Sequence, residues 1–305
     1  MNYESFISDI KTRIGACVGP EVQLLIQSMP RNNGTSYDGL ILLQPNLNIS
    51  PTIYLTPYYH RYLDGMSMED ICSDIFSTYQ KQQPKENFDI GLFTDFARVK
   101  SRIIMRLINY PRNEQMLADV PFFRFYDLAV IFYCLLYADD DNQASILVHN
   151  EHLELWGIGQ DTLYQLAREN TPALLPQQVT PMCSLVEHFA AEIGLMRELH
   201  PSDDGTDSTD TDIPMYVISN SYHTNGACAI LYDQLLYELA EQLQSNLILL
   251  PSSIHEFILL AAEDSSDLQD FSEMVREVNE TQLADDEVLA DHAYYYDRRT
   301  RLISM

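Results

Sequence analysis

Basic residues are scarce in this chain: 18 Lys and Arg stand against 45 Asp and Glu, a net charge of −27 at pH 7. Such a surface repels nucleic-acid phosphates and anionic lipids, so direct binding to either is not expected. Cysteine is sparse and scattered, at positions 17, 72, 134, 183 and 228, with no CxxC pair. That excludes a disulfide scaffold and a zinc ribbon and points to small buried thiols in a reducing, cytoplasmic compartment. The N-terminus MNYESFISDIKTRIG lacks a basic segment followed by an apolar run, so no signal peptide is expected. The longest apolar stretch, Val120 to Tyr137, is interrupted by Arg124 and Asp127 and is too short to span a bilayer. Glycine and proline are ordinary in number, which excludes collagen-like and low-complexity classes. Neither GxxxxGK[ST] nor GxGxxG nor HExxH nor GxSxG occurs. No cofactor and no metal are therefore expected.

What is present is a chain of 305 residues, 46% apolar, enough for a sizeable core. The charge is uneven. Residues 1–130 carry a balance of −2, and residues 131–305 carry −25. The polar stretch KQQPKENFD at 81–89 is the best boundary, giving an N-terminal α+β subdomain over 1–85 and an acidic C-terminal α+β domain over 86–305.

The organising stretch is Ala227 to Leu260. Ile230, Leu231, Leu235, Leu239 and Leu243 recur at helical spacing, which predicts one amphipathic helix. Two apolar runs follow, Leu247–Leu250 and Ile254–Leu260, joined by Pro251-Ser252-Ser253, which predicts a hairpin packed on that helix. Upstream, Tyr3, Phe6, Ile7, Ile10 and Ile14 mark a first helix, and PRNNGTSYDG predicts a hairpin between strands at 21–28 and 39–43. Residues 49–55 read as an edge strand, and Ser67 as the cap of a helix buried through Ile71, Ile75 and Tyr79. Residues 103–108, 125–137 and 144–148 read as strands, 172–181 as irregular and 183–199 as helical. Leu268, Phe271, Met274, Val275 and Val278 predict the buried face of a late helix, and 290–303 a last hairpin. Hairpins outnumber crossovers. The class expected is α+β, with mixed or antiparallel sheets packed against amphipathic helices.

Several groups are candidates for chemistry. Ser252, Ser253, His255 and Glu256 place hydroxyls, an imidazole and a carboxylate together, as acyl transfer requires, although neighbours on a strand face opposite ways and a turn explains them as well. Asn220, His223, Asn225 and Gly226 precede the long helix, where free N–H groups can hold an anion, or simply form an Asn-Gly turn. His149 and His152 have a metal-ligand spacing but lack a third ligand. The aspartates of 203–212 lack the order of a calcium loop. Lys100, Arg102 and Arg106 share one parity, fitting a partner face or pairing within the molecule.

The strings NNGTSYDGLIL, NISPTIYLTPYYHRYLDG, NGACAILY, LPSSIHEFIL and MVREVNETQLADDEVLADHAYYYDR resemble those of an uncharacterised family of gut Firmicutes proteins. The resemblance runs from Tyr3 to Arg298, with a weaker one to the YtpQ-type family. It implies a bacterial, cytoplasmic protein and brings no catalytic residues. With no assembled site in view, the leading expectation is a non-enzymatic interaction protein, with a basic protein as the partner its charge suits. The alternatives are an acidic mimic of DNA that inhibits a DNA-binding enzyme, and a hydrolase or small-ligand-binding enzyme.

Overall fold

A computed structural model describes residues 1–83, 87, 89–138, 143–185, 214–262 and 267–305. The chain divides into two compact units, Met1–Asp95 and Phe96–Met305. The class is α+β, and every sheet is antiparallel.

In the first unit, α1 (Tyr3–Cys17) begins at Asn2, whose side chain accepts from the Ser5 N–H. Phe6, Ile10 and Ile14 fall on one face at helical spacing and are fully buried. Each contributes roughly 1.5–3 kcal/mol of burial. The helix runs two residues past Gly15, to Cys17. Strands β1 (Gln23–Pro30) and β2 (Ser36–Leu43) form the expected hairpin, with Ile26 opposite Leu40 and Ser28 opposite Asp38. The edge strand β3 (Thr52–Tyr54) pairs with β2. A short helix α2 (Leu55–Leu63) follows that the sequence reading passes over. Its Tyr58, Tyr59 and Tyr62 pack half-buried on the core, so its apolar stripe is aromatic rather than aliphatic. In α3 (Met68–Gln82), Ser67 caps the Asp70 N–H, and Ile71, Ile75 and Tyr79 are buried. α4 (Ile90–Thr94) closes the unit.

The second unit opens with α5 (Phe96–Val99) and β4 (Ile103–Asn109), then α6 (Glu114–Leu117). The strand expected over 125–137 forms over 128–138, and a further short strand precedes it in the apolar run. β5 (Phe122–Phe125) turns through Tyr126-Asp127 into β6 (Leu128–Ala138), with Tyr126 at φ 57°. The turn escapes notice because neither residue is a glycine. β6 pairs with β4 along one edge, and with β5 and then β7 (Gln143–Leu147) along the other. Next come α7 (Asn150–Trp156) and α8 (Gln160–Leu174), which carries Pro172 in its last turn. The segment expected to be irregular therefore holds a helix end and a strand, β8 (Gln177–Pro181). The helix proposed at 183–199 lies mostly outside the described residues, as do the aspartates of 139–141 and 203–212.

β9 (Met215–Asn220) leads to the organising stretch, which is not one helix. Gly226–Leu231 winds as a 3₁₀ segment, the chain extends at Tyr232, and α9 (Leu235–Leu243) starts after Gln234, at φ 68°. The break has a packing cause. Gly226, Ala227, Cys228 and Ala229 are buried, and the segment lies against β9, β4 and the strand Glu256–Ala261. Small side chains let it approach three strands, while the Tyr232 hydroxyl is drawn away to donate to the Leu175 carbonyl at 2.9 Å.

The hairpin β10 (Leu247–Ser253) and β11 (Glu256–Ala261) forms as expected, but its turn is Ile254-His255, with a bulge at Pro251–Ser253. The helix on its Ile248, Leu250 and Leu260 face is α10 (Leu268–Gln282), through Val275, rather than the preceding one. α10 is also rotated from the face expected. Ser272, Val275 and Asn279 are buried, while Met274 and Val278 are exposed. Polar anchoring decides this: Ser272 Oγ accepts from the Ala293 N–H, and Asn279 Nδ2 donates to the Ala290 carbonyl. β12 (Tyr294–Asp297) and β13 (Leu302–Ser304) complete a six-stranded sheet in the order β13-β12-β10-β11-β9-β8. Among the described residues, no helix is long and apolar enough to cross a membrane.

Candidate functional site

The two candidate strings, separated by 30 residues, meet. Gly226 sits so close to β9 and the β10–β11 turn that an added Cβ would lie 2.2 Å from Ser219 Oγ, 2.4 Å from the Asn220 nitrogen and 2.8 Å from the His255 carbonyl oxygen. Only glycine fits there. Beside it, Asn225 adopts φ 52° and His223 φ 49°, residue types that tolerate the left-handed region. Asn220, fully buried, folds the loop over itself: its Oδ1 accepts from Tyr222 N–H at 3.0 Å, and its Nδ2 donates to the Thr224 carbonyl at 2.8 Å.

The imidazole of His255 is engaged on both sides. Nδ1 accepts from the Asn225 N–H at 3.0 Å, which places the proton of the neutral ring on Nε2, 3.7 Å from Glu287 Oε1. Ser253 Oγ accepts from the His255 N–H at 3.0 Å, and Ser252 Oγ donates to Glu256 Oε1 at 3.2 Å. The hydroxyls thus face partners other than the imidazole, and the lone pair a general base needs is taken. Asn225, Gly226, Ser253 and His255 thus come together. Their hydrogen bonds clasp the loop before the 3₁₀ segment to the hairpin turn.

The histidine pair at 149 and 152 likewise caps a helix. The His149 N–H donates to His152 Nδ1 at 2.9 Å, and His149 Nδ1 lies 2.9 Å from Asp119 Oδ2. Burial, and then the neighbouring His149, push the His152 pKa down. Among the described residues, no cluster of three or more ligating side chains suits a metal. Arg102 donates to the Leu136 carbonyl and Arg106 to Gln143 and Ser145, with Arg106 lying over the Tyr133 ring. Both arginines bind groups within their own unit. The cysteines are less uniform than expected: Cys134 and Cys228 are buried, Cys72 is partly so, and Cys17 and Cys183 are exposed.

The feature the sequence reading missed is a cleft of about 370 Å³ in the second unit. The end of β5 and the turn after it supply Phe125 and Tyr126, the break between the 3₁₀ segment and α9 supplies Tyr232, Asp233 and Gln234, and α9 supplies Tyr237. β12 supplies Tyr296, and the last hairpin supplies Arg301, Leu302 and Ile303. The Arg301 guanidinium lies over the Tyr237 ring, 3.5 Å from its centroid. The Tyr126 hydroxyl donates to the Ile303 carbonyl. Asp233 is held by Arg168. Burial raises the Tyr296 pKa, and the Arg301 charge draws it back. Behind the turn, Tyr294 donates to Asp127 Oδ1 at 2.6 Å, with His292 Nε2 at 3.5 Å from the same oxygen. The one local signal for this cleft is the arginine cluster 298–301 in an otherwise acidic half.

Fold and site together define an α+β chain of antiparallel sheets with an aromatic cleft bearing one arginine. The chain belongs to the family of unknown function DUF5688, whose profile matches residues 3–298. No curated protein and no solved structure matches it.

Proposed function

We propose that this chain is a cytoplasmic binding protein of bacteria, of the gut Firmicutes kind its sequence strings resemble, and that it carries out recognition rather than chemistry. The cleft of the second unit is its recognition site. The observation that carries this reading is backbone strain. Tyr126, Gln234 and Arg301 all adopt φ between 57° and 68°, and all three line the cleft. None is a residue type that favours the left-handed region, and each such conformation costs about 1–2 kcal/mol. Strain held by surrounding structure gathers where a ligand is recognised. The volume of about 370 Å³ suits a small ligand, and the lining is mainly aromatic and aliphatic with a few polar groups.

The test is ligand-observed NMR of the full chain against a panel of small aromatic acids, amines and neutral compounds, with Tyr237→Ala as the comparison. Saturable binding lost in the variant, with the compound recovered unchanged, is the expected outcome. A panel in which no compound binds, binding that Tyr237→Ala leaves intact, or a compound that is turned over rejects the reading.

A further inference from the structure

We infer that the cleft takes a planar aromatic monocarboxylate, with its carboxylate on Arg301 and its ring among the tyrosines. This rests on the reading of the cleft as a ligand site and adds the chemistry of the ligand. The first argument is the arginine. In a chain of 45 acidic and 18 basic residues, cations are readily paired. Arg112 pairs with Asp291, Arg168 with Asp233 and Arg298 with Glu241. Arg301, in the lining of the cleft, has no carboxylate at ion-pair distance among the described residues. It is held instead by the Tyr237 ring, which orients the guanidinium without consuming its N–H fork. A flat, oriented fork in an aromatic cleft matches a carboxylate, which it binds in two parallel hydrogen bonds.

The second argument is what the cleft turns away. A net charge of −27 disfavours polyanions such as nucleic acids, while one carboxylate meets the local positive charge of Arg301. A cationic ligand would be repelled by the Arg301 guanidinium in the lining, and the carboxylate there, Asp233, is engaged by Arg168. A peptide adding to the sheet edge would need the free carbonyls of β13. That strand spans three residues, and its Ile303 carbonyl is already taken by the Tyr126 hydroxyl. The edge is closed to strand addition.

The third argument is the walls. Phe125, Tyr126, Tyr232 and Tyr296 surround the space. Aromatic side chains favour a ring that stacks or meets them edge to face over a flexible aliphatic chain. Tyr232 is fixed by its bond to the Leu175 carbonyl, and Tyr126 by its bond to Ile303, so the walls are set before a ligand arrives.

The experiment is isothermal titration of the full chain with 2-naphthoate, 2-naphthamide and 2-naphthyl phosphate. It uses wild type, Arg301→Gln and Arg299→Gln, with circular dichroism to establish that each variant is folded. The expected result is one saturable site for the naphthoate. The neutral amide binds about tenfold more weakly or worse, since it loses a charge-assisted hydrogen bond. Arg301→Gln erases that preference, and Arg299→Gln, outside the cleft, keeps it. An amide that binds as tightly as the acid, or a preference that survives Arg301→Gln, overturns the carboxylate assignment and leaves the cleft as a ligand site. A phosphate tighter than the naphthoate overturns the monocarboxylate class. Absence of binding by all three compounds overturns the assignment too, and the wider panel above then decides the fate of the cleft itself.

Discussion

The main-chain N–H of Asn225 donates to Nδ1 of His255 at 3.0 Å, joining a left-handed loop residue to a hairpin turn 30 positions later. The bond fixes the tautomer of the ring and brings Nε2 toward Glu287. It also satisfies a donor at a tight loop that Gly226 alone permits.

His255→Ala removes that acceptor and leaves the Asn225 N–H without its protein partner. The loss expected is about 1–3 kcal/mol. Urea denaturation measures it as a lowered midpoint with an unchanged slope. An unchanged midpoint would show that the clasp does not hold the loop.

Gly226→Ala places a methyl group against backbone and a β-strand side chain. The Asn220 nitrogen cannot swing aside, so the 3₁₀ segment must shift away from β9. Overpacking of this kind costs roughly 1–3 kcal/mol or more. Soluble yield and thermal midpoint should both fall, and a variant as stable as the parent contradicts the packing described.

The His152 ring stacks on Trp156, the single tryptophan, at 5.7 Å between centroids. Its pKa is pushed below the ordinary value, chiefly by burial. The unfolded chain therefore takes up this proton first as pH falls. The stabilising contribution is complete above about pH 6.5 and is lost as pH drops through the lower folded value. Protonation also removes the acceptor that caps α7. Trp156 emission should titrate with a midpoint under 6.5, and His152→Gln should abolish that transition. A midpoint above 6.5 contradicts the burial.

Burial pushes the Cys134 and Cys228 thiols up to about 11, whereas Cys17 and Cys183 are exposed. Only thiolates alkylate readily. Iodoacetamide at pH 8, followed by mass mapping, should modify Cys17 and Cys183 in the native chain and reach Cys134 and Cys228 only in denaturant. The raised values also mean that this contribution is complete below about pH 8.5 and fades as pH climbs toward 11. Native labelling of Cys228 as fast as Cys17 would contradict its place between the strands.

The sequence by itself determined what is local. Ser67 and the carboxylates after it start α3, the turn residues of PRNNGTSYDG set the β1–β2 hairpin, and two apolar runs pair as β10 and β11. Each rests on capping, turn chemistry or periodicity within about ten residues. Periodicity failed where tertiary contacts overrode it. The small residues of 226–229 are drawn into a 3₁₀ wedge, and Ser272 and Asn279 turn α10 away from its most apolar face. The candidate residues Asn225 and His255 were legible singly, but their bond was not. Of the cleft, the sequence showed one local sign, the arginine cluster 298–301. Tyr126, Gln234 and Arg301 take left-handed backbone without being glycine or asparagine, and they come from segments separated by more than 60 residues even at the narrower gap. Only the closing of the sheets brings such residues together, because strained conformations persist where the rest of the fold outweighs their cost.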